Sequence, residues 1–269
     1  MEARRLTLDD VVSPGERVLF AVMMLVSLLI YGGLGFLAFS NASTGGAILF
    51  YVVLFALAAF LTHAVAIGRI RGNGVLVSER QFPLLQQLVT AHGQRLGLTS
   101  PPTVYVLESG GVLNAFATKL LGRKLVIVNA DVLALAVRRG QAAVSFIVGH
   151  ELGHHWRGHL RWRWLIAPAR VVPYLGAAYS RACEYTCDRV GAYCEPAGAV
   201  DGLLVLAAGG WLHAHVNAQE FARQAETDRS FWIRRAELVS SHPRLPKRVA
   251  ALLALGVAIP ATEHLTAAE

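Results

Sequence analysis

Two stretches, Val18 to Phe39 and Ala47 to Ile67, contain no Asp, Glu, Lys or Arg. As a helix rising ~1.5 Å per residue, the first spans roughly 33 Å, enough to cross the hydrocarbon core of a bilayer. The second is of similar length. Between them lies only Ser40 to Gly46, a short uncharged loop carrying Gly45 and Gly46. The pair predicts a transmembrane helical hairpin. With 269 residues, 54% hydrophobic and 16% charged, the chain has room for this membrane part and one further domain of ordinary size. Gly72-Asn73-Gly74 marks the boundary, giving an N-terminal segment with two transmembrane helices over 1–71 and a second domain over 72–269.

Arg4, Arg5 and Arg17 precede the hairpin, Arg69 and Arg71 follow it, and its loop carries none. The positive-inside rule places both ends in the cytoplasm, as a multi-pass protein of the cell (inner) membrane with the second domain facing the cytosol. A net charge of +7 then meets anionic lipid headgroups. Nucleic acid is excluded as a partner because no nucleic-acid module accompanies the basic residues. His63, near the end of the second run, reads as an interfacial or helix-packed histidine. Cys183, Cys187 and Cys194 read as small reduced core residues.

Chemistry concentrates in His150-Glu151-Leu152-Gly153-His154, which closes the apolar run Ala142 to Gly149. On a helix, expected over Gln141 to Leu160, His150 and His154 fall one turn apart on one face. Two imidazoles so placed can bind one Zn2+, and Glu151 can reach a water on that ion as general base. A catalytic zinc needs a third protein ligand. Glu184 supplies it best, in Ser180-Arg181-Ala182-Cys183-Glu184-Tyr185-Thr186-Cys187-Asp188. Asp188, one turn on, can accept the outer N–H of a ligating histidine. His155 and His159 lie off the ligand positions and read as solvated or interfacial.

The surrounding chain reads as mainly α with a small β-sheet (α+β). A helix is expected within Ser78 to Leu98, strands over Thr103–Leu107 and Lys124–Val128, and a turn at Gly110-Gly111. Gly140 is expected to end a helix before the HExxH helix. Leu165 to Tyr179, broken by Pro168 and Pro173 after an Arg/Trp-rich stretch, predicts a shallow membrane-contacting segment. Ala199 to Val216 reads as a core helix, Phe221 to Val239 as one exposed helix, and the tail from Pro260 as frayed.

Taken together, HELGH and SRACEYTCD resemble the HtpX-like and CAAX-prenyl-protease-type membrane-associated zinc metalloendopeptidases, whose second motif is SRxxEYxAD; Cys187 stands where alanine is usual. Asn114-Ala115-Phe116-Ala117 resembles the family's NAFA segment, and His242-Pro243 with Arg248 its HPxxxxR segment. The resemblance implies a zincin-like domain holding one Zn2+ on His150, His154 and Glu184, with Glu151 catalytic. It also implies that Asn114 and His242 contact the substrate backbone or the oxyanion, and that Arg181 and Arg248 stand with Asp188 behind the ligands. HtpX-type members commonly carry two further transmembrane helices between these motifs, for which this chain has no room. The expected activity is hydrolysis of peptide bonds in membrane or misfolded proteins. The competing expectation is a non-catalytic membrane scaffold or chaperone-like peptide binder, against which the intact Glu151 speaks.

Overall fold

A computed structural model describes residues 6–108, 115–120, 122–139 and 141–258. Arg4, Arg5, the Gly110-Gly111 turn, Gly140 and the tail from Pro260 lie outside them. The protein is mostly helical with a small mixed sheet, in agreement with the class expected from sequence.

The two apolar runs form α1 (Pro14–Ser40) and α2 (Ala42–Asn73), both long and apolar enough to cross a membrane. The expected loop over 40–46 is reduced to one residue. Asn41 is extended, and its side chain accepts hydrogen bonds from the backbone N–H of Ser43 and Thr44, so α2 restarts at once. The helices cross closely at Gly45, where a Cβ would fall 2.4 Å from the Ala38 carbonyl oxygen. No residue in the most apolar stretch of α2 is buried, and Phe39 of α1 is 94% exposed. An exposed apolar surface of that extent marks a membrane or protein contact.

The first half of α1 is not bare. Met23 is fully buried against Ile166, Ala169 and Tyr179. Ala169 N–H donates to Ser27 Oγ at 3.2 Å, and Tyr31 O–H donates to the Trp164 carbonyl at 3.1 Å. The segment expected to touch the membrane therefore lies along the apolar run itself, with a 3-10 turn at Pro168–Val171 and Val171 78% exposed.

Past α2 the chain makes β1 (Val75–Leu76), α3 (Pro83–Arg95), β2 (Thr103–Leu107), β3 (Ala115–Leu120) and β4 (Arg123–Asn129). The sheet order is β1-β2-β4-β3. β2 and β4 run parallel, with Thr103 opposite Leu125, while β1 and β3 pair antiparallel at the two edges. Edge strand β3 was not expected. Its Ala-Phe-Ala-Thr-Lys-Leu composition gives only a weak period-2 signal, and the pairing with β4 imposes the strand. His63 Nε2–H donates to the Lys119 carbonyl at 3.0 Å, tying α2 to this edge.

After α4 (Ala130–Arg139) comes α5 (Ala142–Trp156), the HExxH helix. Most of it is inside the molecule: Val144, Phe146, Val148 and Leu152 are almost inaccessible. Truncating Phe146 to alanine costs about 3–5 kcal/mol on the usual scale for buried aromatics. Alongside runs α6 (Leu175–Cys194), which carries Glu184. Glycines allow the approach. A Cβ on Gly191 would fall 2.8 Å from the Phe146 ring, and one on Gly149 would fall 2.8 Å from Cys194 Cβ.

The rest is helical. α7 (Ala199–Leu212) fills the core as expected, with Leu203 and Val205 fully buried. The single exposed helix expected over 221–239 is two, α8 (Ala218–Thr227) and α9 (Phe231–Val239). Asp228 leaves the helical conformation, and Ser230 caps the second helix by accepting from Ile233 N–H. Last comes α10 (Leu245–Ala254).

Candidate metal centre

Periodicity of α5 puts His150 and His154 on one face, with ring centroids 5.2 Å apart. Glu184 of α6 points between them. Its Oε2 lies 3.5 Å from His150 Nε2 and its Oε1 3.5 Å from His154 Nε2. Donors about 2.1 Å from a tetrahedral ion stand about 3.4 Å apart, close to each of these nitrogen–oxygen distances, and one donor atom from each of the three residues lies within 4.8 Å of the others.

The electrostatics point the same way. Burial works against a charge on His150, but the Asp188 and Glu184 carboxylates outweigh it and hold the imidazole up to about 10. Burial also opposes the charge on Glu184, yet His150, His154 and Arg248 pull its carboxyl well below the usual range. The site thus grips positive charge in the place where a divalent cation would sit and release that proton.

Behind His150, Asp188 Oδ1 accepts from Nδ1 at 3.0 Å. Arg248 binds Asp188 with Nε at 2.8 Å from Oδ2 and lies 3.4 Å from Glu184 through Nη1. Against the burial that raises it, Arg248 and then His150 lower the Asp188 carboxyl. Asp188 fixes the His150 tautomer, leaving Nε2 as the lone-pair donor toward the centre.

Glu151 lies beside the pair and lines a cleft of about 280 Å³ with Ala115, Phe116 and Ile166. Its Oε2 is buried without a hydrogen-bond partner, and burial raises its carboxyl above the usual range. A carboxylate that lines a cleft and keeps one buried oxygen unpartnered is the arrangement of a group that takes up a proton.

His242 stands at the rim. Its side chain is 64% exposed, and its Nε2 is 3.7 Å from Glu184 Oε1. Ser241 Oγ lies 2.9 Å from Nδ1; donation from that hydroxyl leaves the imidazole proton on Nε2, toward the site. Asn114 lies outside the described residues. Arg181 is not behind the ligands. Its guanidinium donates to the carbonyls of Glu237, Leu238 and Ser240 at the C-terminal end of α9, where helix carbonyls run out of intrahelical donors, and so holds the segment leading to His242.

Two histidines depart from expectation. α5 ends at Trp156 rather than Leu160, because Gly158 takes a left-handed φ of 72° and turns the chain back. His159 is thereby folded under α5, with Nδ1 3.1 Å from His154 Nδ1. His155 is buried and donates to the Leu125 carbonyl at 3.0 Å. The signal for His159 was Gly158 itself, four residues past His154; His155 is buried by the packing of α5 on β4, which no local signal marks. Glu16 was also missed. It heads α1, is 2% exposed, and receives Nε and Nη2 of Arg157 at 3.0 and 2.7 Å. Cys183, Cys187 and Cys194 are buried and free.

The sequence model of peptidase family M48 matches residues 79–169 and 164–255. These segments contain the HExxH helix, Glu184, Asp188, His242 and Arg248. The chain belongs to peptidase family M48. No curated protein matches it. The two M48 segments meet at 164–169, between the HExxH and Glu184 motifs, where the chain makes only the short stretch packed on α1. α1 and α2 precede the matched region.

Proposed function

We propose that this M48 member is a membrane-anchored zinc endopeptidase that cleaves peptide bonds in membrane or misfolded proteins. The observation that carries the reading is the approach of His150 Nε2 and His154 Nε2 to one Glu184 carboxylate, beside Glu151, whose buried Oε2 has no hydrogen-bond partner. In this reading 1–71 is the anchoring segment and 72–269 the peptidase domain. Arg17, Arg69 and Arg71 at the open ends of the helix pair, and none at Asn41, support a cytoplasmic domain.

His150, His154 and Glu184 would hold the zinc. When bound, zinc lowers the pKa of a coordinated water and polarises the scissile carbonyl. Edge strand β3, through Ala115 to Ala117 at the cleft, would align an extended substrate by strand addition. Glu151 takes the proton from the attacking water and delivers it to the leaving amine. His242, with Nε2 3.7 Å from Glu184 Oε1 at the rim of the site, would stabilise the developing oxyanion. Asp188 and Arg248 keep His150 and Glu184 in place. Because Ile166 both lines the cleft and packs with Met23 of α1, the cleft abuts the anchor, which suits a substrate emerging from the bilayer.

The test is cleavage of an unfolded casein by the full chain in detergent, with and without a zinc chelator, beside Glu151→Gln. The parent should cleave only with zinc, and the variant should hold zinc without cleaving. Binding of casein by the parent without cleavage would make this a peptide binder.

A further inference from the structure

His154 uses Nε2 toward Glu184, so its proton resides on Nδ1 and needs an acceptor. Among the described residues no carboxylate takes it directly, whereas Asp188 takes the one on His150. Nδ1 instead faces His159 Nδ1 at 3.1 Å, a hydrogen-bond distance. With its Nδ1 accepting, neutral His159 carries its own proton on Nε2. That nitrogen is buried and lies 3.3 Å from Glu16 Oε1. Neither it nor the other Glu16 oxygen, Oε2, has an aligned partner. At 3.3 Å the nitrogen stands within ion-pair distance of the carboxylate, so the Glu16 charge favours the proton on Nε2 and leaves Nδ1 to accept.

We propose that Glu16 and His159 are positioning residues for the metal site: a carboxylate on the apolar N-terminal helix orients the ligand His154 through an intervening histidine. The inference rests on the reading above that His154 is a ligand. Every member of the chain is enclosed: the Glu16 side chain is 3% exposed, that of His159 7% and that of His154 18%. Enclosing a carboxylate costs several kcal/mol unless charged and hydrogen-bonding partners surround it. Arg157 supplies the charge, and the Ser13 N–H, donating to Thr186 Oγ1 at 3.0 Å, pins the head of α1 against α6. The ligand-bearing helix is thus braced by α1, so displacing α1 reorients His154.

The rival arrangement is a second cation on His154, His159 and Cys187, whose donor atoms lie within 4.8 Å of one another. It is disfavoured because His154 Nδ1 and His159 Nδ1 stand 3.1 Å apart, the separation of a hydrogen bond and shorter than the about 3.4 Å between two nitrogens on one tetrahedral ion.

The experiment uses the full chain in detergent. It measures zinc affinity by chelator competition, the visible absorption of the cobalt-substituted protein, and melting of the metal-free protein. Glu16→Gln and His159→Leu should each weaken zinc about 10- to 100-fold and shift the cobalt bands. His159→Gln, whose amide oxygen can accept from His154, should restore most of the affinity. Arg157→Met, which disturbs the same buried cluster without entering the chain to His154, should lower the melting temperature but keep the cobalt spectrum. If Glu16→Gln does not fold, the two His159 variants decide. Parental affinity and spectrum in both Glu16→Gln and His159→Leu overturn the proposal. So does a parent holding two zinc ions that drops to one in His159→Leu. A parent that binds no zinc overturns the ligand reading itself, a result distinct from either of these.

Discussion

The two flanks of the candidate centre hold their histidines differently. On one side, Asp188 contacts His150 directly and is held by Arg248, and every member lies inside the M48 match. On the other, His154 Nδ1 meets His159, whose far nitrogen lies 3.3 Å from Glu16, a carboxylate on α1 outside the match. The first flank is a rigid fixture of the peptidase domain. The second joins the domain to the helix that would anchor it. Damage to the first should destroy the site whatever the membrane does, whereas damage to the second should grade it.

Between the flanks stands Glu151, whose loss gives the largest effect. Glu151→Gln should lower cleavage about 10²- to 10⁴-fold, the usual worth of a general base, while zinc stoichiometry by metal analysis stays at the parental value. Cleavage at the parental rate would transfer the proton to another group and leave both flanks without a reaction to serve.

Next in size are the arginines. Arg248→Met strands Asp188 in the core and should cost about 3–5 kcal/mol in denaturant unfolding, as breaking a buried pair does. The side chain of Arg157 is 30% exposed, so water can replace it at Glu16, and Arg157→Met should cost about 1–3 kcal/mol. Equal losses would show that the α1 flank is as integral to the domain as the other.

Much of the first flank was legible because its information is local. His150 and His154 share one helical turn, as do Glu184 and Asp188, and periodicity alone puts each pair on one face. Arg248 entered only through the resemblance. The second flank was illegible for the opposite reason. Arg157 and Glu16 meet across 141 residues, and an acid at the head of an apolar run looks the same whether solvated or buried. His159 depended on the backbone turn at Gly158. β3 is a strand because β4 pairs with it, a fact held in neither segment alone. Arg181 sits in a matching motif yet binds the carbonyls at the end of α9, so motif membership gave its place in the chain but not its partner.

Packing between the two helices offers a third comparison, since both flanks depend on α5 and α6 staying close. Gly191→Ala would push a methyl to 2.8 Å from the Phe146 ring and 2.9 Å from its carbonyl oxygen. The expected cost is about 1–3 kcal/mol with weakened zinc binding, because overpacking moves Glu184 away from both imidazoles. Stability lost with zinc affinity unchanged would mean that the helices shift together and keep the ligands in register.

The smallest effect supplies a reference away from both flanks. His92 on α3 is buried, with Nε2 2.8 Å from Ser145 Oγ near the start of α5. Burial, and then the charge of Arg95, push its imidazole below the ordinary 6.5. As pH falls below 6.5 the unfolded chain binds a proton that the folded chain refuses, so stability falls; as pH rises back it returns. One such proton gives a slope of at most about 1.4 kcal/mol per pH unit. His155, held to about 4 by burial, adds a slope of the same sign. Its contribution is common to parent and His92→Gln, so their difference isolates His92. The variant, whose amide can still meet Ser145, should melt with a shallower dependence on pH between about 5 and 6.5. Identical slopes would show that His92 accepts its proton in the folded chain. The α3–α5 contact would then be no fixed baseline for reading acid effects at either flank.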